Sequence, residues 1–475
     1  MPSMTDISDL SAVDLLRLYR RRELSPVDAV QNALDRIERF NPAVNAFLLV
    51  DAEGALATAR QSEARWSKGE PRGSLDGVPA TVKDNVLMKG WPCRRGSLTS
   101  DTAPVEEDAP AVARLRENGA VLLGKTTLPE FGWIGACHSP LTGITRNPWN
   151  LDRTPGGSSG GAAAAALLNL GVMHIGTDAA GSVRIPAAFT GTFAIKPSYG
   201  RVPTFPASPF STLSHVGPIT RTVTDAALML SAIGGPDERD MTAWNTQPPD
   251  FSVGLNDGVR GLRIAWSPRL GTVKHVHPEI EAATAAAAQR FADLGAHVEA
   301  ADPELPDCAD TIRTLWQSVS ASIVDAMPAA KRKDLDPGFR RMAERGSRYT
   351  LTDYLSASGK RAELANIMAR FHSRYDLLLT PQMPIPALEA GLEAPAGGVF
   401  GDEWIEWSPF TYPFNLTQQP AASVPCGFTS DGLPIGLQIV GAAHADALVL
   451  RAARAFESAA PFATLSEPRM QTKHA

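Results

Sequence analysis

Two glycine- and serine-rich runs bracket the longest apolar stretch of this chain, residues 161–175. The first run is Gly156-Gly157-Ser158-Ser159-Gly160-Gly161; the second is Thr177-Asp178-Ala179-Ala180-Gly181-Ser182-Val183-Arg184-Ile185-Pro186. The stretch between them holds Asn169 and His174 and falls short of the ~20 apolar residues that a membrane-crossing helix requires. It predicts a buried helix running into a strand. Each glycine-rich run frees backbone N–H groups to face a ligand, and each delivers a serine to a place where a carbonyl carbon can approach. Lys83-Asp84-Asn85 stands well upstream of both. Together these are the parts of a serine hydrolase whose base is a lysine.

Around this segment, strand and helix patterns alternate. Ser25-Pro26-Val27-Asp28 is a helix start, with a serine cap, a proline in the first turn and an acid facing the helix dipole. Val27, Val30, Ala33, Leu34 and Ile37 form one apolar face, and Asn41-Pro42 is expected to end the helix. Residues 80–82 predict a short buried strand that delivers Lys83 at its end, and a helix over 108–117 feeds a strand over 120–124. Residues 191–218, dense in Pro, Gly, Ser and Thr, read as extended loop. Further on come a helix over 224–233, a strand over 262–266, a helix over 278–294, a mostly helical stretch over 311–375 and a strand over 377–381. This order predicts an α/β sandwich on a mixed sheet. At 475 residues, length alone suggests two or three domains, yet no clean cut is visible in the chain.

Composition removes several classes. The net charge of −6 and the acids that interrupt the Lys331 to Arg348 basic stretch mark a solvated helical face and exclude a nucleic-acid patch. Cys93, Cys137, Cys308 and Cys426 are too scattered to pair as ligands and fit a reduced, cytoplasmic protein. Residues 1–10 lack the basic and apolar regions of a secretory leader, so none is expected, and no membrane partner either. His275-Val276-His277 has only Glu279 close by and is a poor metal-ligand set, so no metal or cofactor is expected. Gly156-Gly157-Ser158-Ser159-Gly160 satisfies the G-x-S-x-G elbow of α/β-hydrolase esterases, which also need an acid and then a histidine downstream. His372 and His444 have the right order but sit in no distinctive loop. No serine lies three residues before any lysine, which removes the serine–lysine β-lactamase pattern.

The lysine triplet and the two loops, taken together, resemble the amidase signature family. Arg146-Asn147-Pro148-Trp149-Asn150, Gly191-Thr192-Phe193-Ala194-Ile195-Lys196-Pro197, Gly217-Pro218-Ile219-Thr220-Arg221 and Gly432-Leu433-Pro434-Ile435-Gly436-Leu437-Gln438 extend the likeness over residues 25–455. The resemblance implies one α/β/α domain over 1–475, made of N-terminal helices (1–60), a catalytic core (61–235), a variable and mostly helical part (236–380) and a return to the sheet (381–475). It implies Ser182 as nucleophile, Ser158 as bridging serine after a cis Gly157–Ser158 bond, and Lys83 as base. The backbone N–H groups of Ala179, Ala180, Gly181 and Ser182 are then the expected oxyanion hole, braced by Asp178 and Arg184, for which a plain surface ion pair is the bland reading. The chain departs from many relatives at Ala180 and at Gln418, where glycine is common.

These assignments make chemical sense. Lys83 can act as a base only when neutral, and burial supplies the needed drop in pKa. The expected reaction is hydrolysis of an amide of a small molecule through an acyl-enzyme. Candidate substrate-pocket residues are Phe131, Trp133, Ile134, His138, Gly157, Trp404 and Trp407, although aromatics in a row are commonly core. If they line the cleft, aryl amides, anilides or carbamates are the expected substrates. The alternative is the glutaminase subunit of a tRNA-dependent amidotransferase, against which the Arg201 to Pro209 segment speaks. The expected partner is the substrate alone, with room for a homodimer.

Overall fold

The Pro79–Lys83 strand is buried along its whole length and runs parallel to both neighbours, Val121–Thr126 and Met173–Asp178. In parallel sheets, ligands gather outside the carboxyl ends of the strands. Here those ends carry Lys83, Thr177 and Asp178. The computed structural model describes residues 6–469, so Met1 to Thr5, within the polar amino-terminal stretch, lie outside the described residues.

These three strands belong to a mixed sheet of eleven. From one edge the order is Phe47–Val50, Val121–Thr126, Pro79–Lys83, Met173–Asp178, His215–Thr220 and Phe193–Lys196. It continues through Ala421–Phe428, Pro434–Gly441, Leu377–Pro381, Arg263–Trp266 and His297–Ala300. Helices pack on the sheet, as expected for strands buried on both faces. Among the described residues no helix is long and apolar enough to cross a membrane.

The helix Gly160–Leu167 is buried at every position and leads to the Met173–Asp178 strand, as its composition predicts. Ser25 caps the Pro26–Val44 helix with a full capping box. That helix does not stop at Pro42. It continues to Val44 because Val44 is buried and the Asn45 N–H closes the last turn on the Asn41 carbonyl at 2.7 Å. Residues 191–218 are not all loop either. Both ends are strands, Phe193–Lys196 and His215–Thr220, whose Phe193, Ile195, Val216 and Ile219 enter the core while Gly and Pro hide their alternation. The first sixty residues also hold a strand, Phe47–Val50, at the sheet edge.

Candidate active site

Lys83 is fully buried, and its Nζ donates to Ser158 Oγ at 2.7 Å and to Thr177 Oγ1 at 2.9 Å. Burial lowers its pKa to about 7, with the nearby Cys137 and Asp178 opposing the shift. A second donor, Asn85 Nδ2, holds the same Thr177 hydroxyl at 3.0 Å. Thr177 therefore positions the lysine amine, a role its place in the motif did not reveal.

Ser158 follows a cis Gly157–Ser158 peptide bond. Gly157 lies against the backbone of Ala136, and a Cβ there would collide with the Ala136 carbonyl. Gly132 has φ +73°, and a Cβ on it would come within 3.0 Å of Ser158 Oγ. The Phe131 loop thus closes directly over Ser158.

Ser182 follows Gly181, whose φ of +121° is accessible to glycine and rare for other residues. The Ser159 N–H donates to the Ser182 carbonyl at 3.1 Å, which sets the two glycine-rich loops side by side. Among the described residues no hydrogen bond joins Ser182 Oγ to Ser158 Oγ. Ala180 keeps φ below zero, so its methyl needs no unusual backbone. One expected oxyanion donor is already engaged: the Gly181 N–H donates to Asp178 Oδ1 at 2.7 Å. The Asp178 carboxylate thus holds the loop backbone at Gly181.

Asp178 and Arg184 are both inaccessible to solvent and meet in a two-pronged ion pair at 3.0 Å, so they are no surface pair. Burial alone would raise the Asp178 carboxyl, but Arg184, helped by Lys196 and Asn415, holds it well below the usual carboxylate range. Arg184 also donates to Asn415 Oδ1 at 2.6 Å, Gln438 Oε1 at 2.7 Å and the Thr411 carbonyl at 3.0 Å. Thr411 Oγ1 donates in turn to the Ala180 carbonyl at 2.6 Å. Carboxy-terminal residues therefore clamp the 178–182 loop. Gln418 has φ +65°, in the region that favours glycine, and its side chain donates to the Thr212 carbonyl at 3.1 Å.

The expected pocket residues divide between walls. Phe131 lines a cavity of ≈ 110 Å³ together with Asn85, Thr177, Phe205 and Phe210, next to the lysine. Trp133, Ile134 and Trp404 line a separate cavity of ≈ 90 Å³ with Arg341 and Glu393. Trp407 lines neither. It is wholly buried under Gly135, with its indole N–H on the Glu393 carbonyl at 3.1 Å. His138 sits in a small ribbon of His138–Ser139 with Gly143–Ile144, and burial lowers its pKa. A larger cavity, ≈ 340 Å³, is lined by Val273, Cys308 and Tyr412 and by none of the lysine and serine residues above.

Glu130, beside Phe131, has no solvent exposure, and burial pushes its pKa up to about 7. It accepts from Ser97 Oγ at 2.5 Å and from the Asp336 N–H at 2.6 Å, which ties the Phe131 loop to two other segments.

A mixed eleven-stranded sheet with a buried lysine on a cis-linked serine, beside a second serine loop, defines an α/β protein with a buried lysine–serine centre at its strand ends. The amidase family profile matches residues 28–450, and the chain belongs to that family of amide-hydrolysing enzymes. It is 36% identical over 460 residues to an acylamidase of Rhodococcus erythropolis, covering 96% of each chain. It is 37% identical over 492 residues to a glutamyl-tRNA(Gln) amidotransferase subunit of Myxococcus xanthus, covering 97% of this chain and 99% of that one. The crystal structure of a bacterial aryl acylamidase of the amidase signature family superposes with a TM-score of 0.88 at 31% identity, covering 96% and 97% of the two chains.

Proposed function

We propose that this protein is a free-standing amidase that cleaves linear amides of small molecules through Lys83, Ser158 and Ser182. The observation that carries the reading is the 2.7 Å contact between the buried Lys83 Nζ and Ser158 Oγ, at a lysine whose pKa lies near 7. Neutral Lys83 takes the Ser158 proton, Ser158 takes that of Ser182, and Ser182 Oγ bonds to the amide carbon. The relay requires Ser182 Oγ within hydrogen-bond reach of Ser158 Oγ in the substrate complex, where catalytic contacts often tighten. The N–H groups of Ala179, Ala180 and Ser182 receive the negative oxygen, each such donor being worth about 3–4 kcal/mol in other hydrolases. On collapse the C–N bond breaks, and the proton on Lys83 returns through Ser158 to the leaving amine. Water repeats the sequence on the acyl-enzyme and releases the acid.

The apolar wall of Phe131, Phe205 and Phe210 and the likeness to acylamidases support aryl amides, anilides or carbamates as substrates. The four free cysteines support a cytoplasmic setting, and the whole chain is read as one unit because its sheet draws strands from residue 47 to residue 441. The high identity to an amidotransferase component favours a second reading, a glutaminase that works in a complex. The isolated chain should hydrolyse anilides unaided; glutaminase activity that appears only with partner proteins and tRNA would establish the second reading instead.

The test of the mechanism is covalent labelling. A fluorophosphonate should mark Ser182, and Ser182→Ala should abolish labelling and cut turnover by several orders of magnitude. Ser158→Ala should be severely slowed with Ser182 still the marked residue. Mass spectrometry locates the adduct, and one on Ser158 would return the elbow-type esterase mechanism to consideration.

A further inference from the structure

The ≈ 110 Å³ cavity beside Thr177 and Lys83 is lined mostly by apolar side chains, and no acid lines it. One cation does. Arg95 is half-buried on its wall, and among the described residues its guanidinium makes no hydrogen bond, ion pair or ring contact. Its backbone is held firmly: its N–H donates to the Asp84 carbonyl at 3.1 Å, and its carbonyl accepts from the Phe131 N–H at 2.8 Å. Its φ of +52° is an uncommon conformation for a non-glycine residue. The arginine therefore joins the segment that follows the lysine strand to the loop that covers Ser158. Nearby Arg94, by contrast, spends its guanidinium on the Ser97 carbonyl at 3.4 Å.

A half-buried guanidinium without a counter-ion, set in an apolar wall, gains most from an anion with two oxygens in a plane. We propose that Arg95 is a specificity residue that binds a carboxylate on the substrate, so that the preferred amides carry a carboxylate on the arm that enters this cavity. The inference rests on the amidase reading and narrows its substrate class. At ≈ 110 Å³ the space is smaller than the ~150 Å³ closed cavity that holds benzene, which limits what lies between the amide and the carboxylate to one small ring or a short chain.

The test uses matched pairs in which a methyl ketone replaces the carboxylate. 4-Acetamidobenzoate is compared with 4-acetylacetanilide, and N-phenylsuccinamate with 4-oxo-N-phenylpentanamide, which places the charge on the amine side and then on the acyl side. In the wild-type protein one pair should favour the carboxylate by about tenfold or more in kcat/KM, chiefly through KM, as expected for a charge-assisted hydrogen bond. Arg95→Met should remove that ratio and Arg95→Lys should keep part of it. The ratio is taken within each variant, so a loss of folded protein does not imitate the effect. Equal rates for both members of both pairs in the wild type, or an unchanged ratio in Arg95→Met, would overturn the proposal. Benzoate binding, followed by thermal shift against acetophenone, reads Arg95 without turnover. Should no anilide be cleaved while benzoate binds in an Arg95-dependent way, the anilide reading fails and the role of Arg95 stands. Absence of benzoate binding, with no carboxylate preference, refutes that role.

Discussion

Lys83 shows how one residue joins stability to function. A folded-state pKa lowered to about 7 means that the protein must keep this group neutral in a site without solvent. A lysine whose pKa falls on folding contributes no penalty above its unfolded value near 10.4, and it costs stability increasingly as pH falls toward the folded value. The logarithm of kcat/KM should rise with unit slope below about pH 7 and level off above it, because in the proposed relay only a neutral Lys83 can take the first proton. Lys83→Met should abolish turnover yet raise stability by an amount of order a few kcal/mol at neutral pH, as read by chemical denaturation. A profile that peaks near pH 5 would point to a carboxylate base. The residue types at this centre are legible in the chain because each stands at a strand end or in a glycine-rich turn. The part of Thr177 is not, since a threonine in a strand has many ordinary uses and only the fold brings Lys83 and Asn85 to its hydroxyl.

Among the elements, the loop around Phe131 is held by long-range contacts. Glu130 anchors it by accepting from Ser97 and from the amide of Asp336, and no local pattern links positions 97, 130 and 336. Helices and strands with strong periodicity or caps, such as Pro26–Val44 and Gly160–Leu167, are readable from sequence, while His215–Thr220 is obscured by Gly217 and Pro218. The aromatic run from Trp404 to Phe414 shows the same limit: apolarity foretells burial, but whether a ring faces core or cleft depends on partners such as Gly135 above Trp407. The Glu130 carboxyl, raised to about 7, adds stability below its unfolded pKa of about 4.3, and that contribution is lost as pH rises through 7. Glu130→Gln cannot ionise. The stability of this variant relative to wild type should therefore improve between pH 5 and pH 8, by about 1–3 kcal/mol, in denaturation curves taken across that range. A constant difference would show that the carboxyl does not titrate there.

For the whole molecule, the informative contacts are those that bind distant parts of the chain to the 178–182 loop. Arg184 reaches Asp178 six residues away, but also Thr411, Asn415 and Gln438 from the carboxy-terminal part. The sequence motif that contains Gln438 is visible without a structure; its convergence with Asn415 on one guanidinium is not, because it depends on how the Ala421–Phe428 and Pro434–Gly441 strands return to the sheet beside Phe193–Lys196. The pair Asp178–Arg184 has no solvent access, so removing one member leaves an uncompensated buried charge. Arg184→Met should destabilise the protein by about 3–5 kcal/mol, the usual effect of breaking a buried pair from one side. The same change frees Asp178, which now holds the Gly181 and Val183 N–H groups, so the oxyanion loop should lose its order and kcat should fall more than KM rises. Asn415→Ala tests the same bracing from the far end of the chain. It keeps the ion pair but removes a 2.6 Å acceptor from Arg184 and a 2.8 Å donor to Asp178, so it should lower kcat with a smaller stability loss. A double-mutant cycle between the two positions should give a coupling of order 1–3 kcal/mol in stability. Strict additivity would mean that the carboxy-terminal residues pack beside the loop without bracing it.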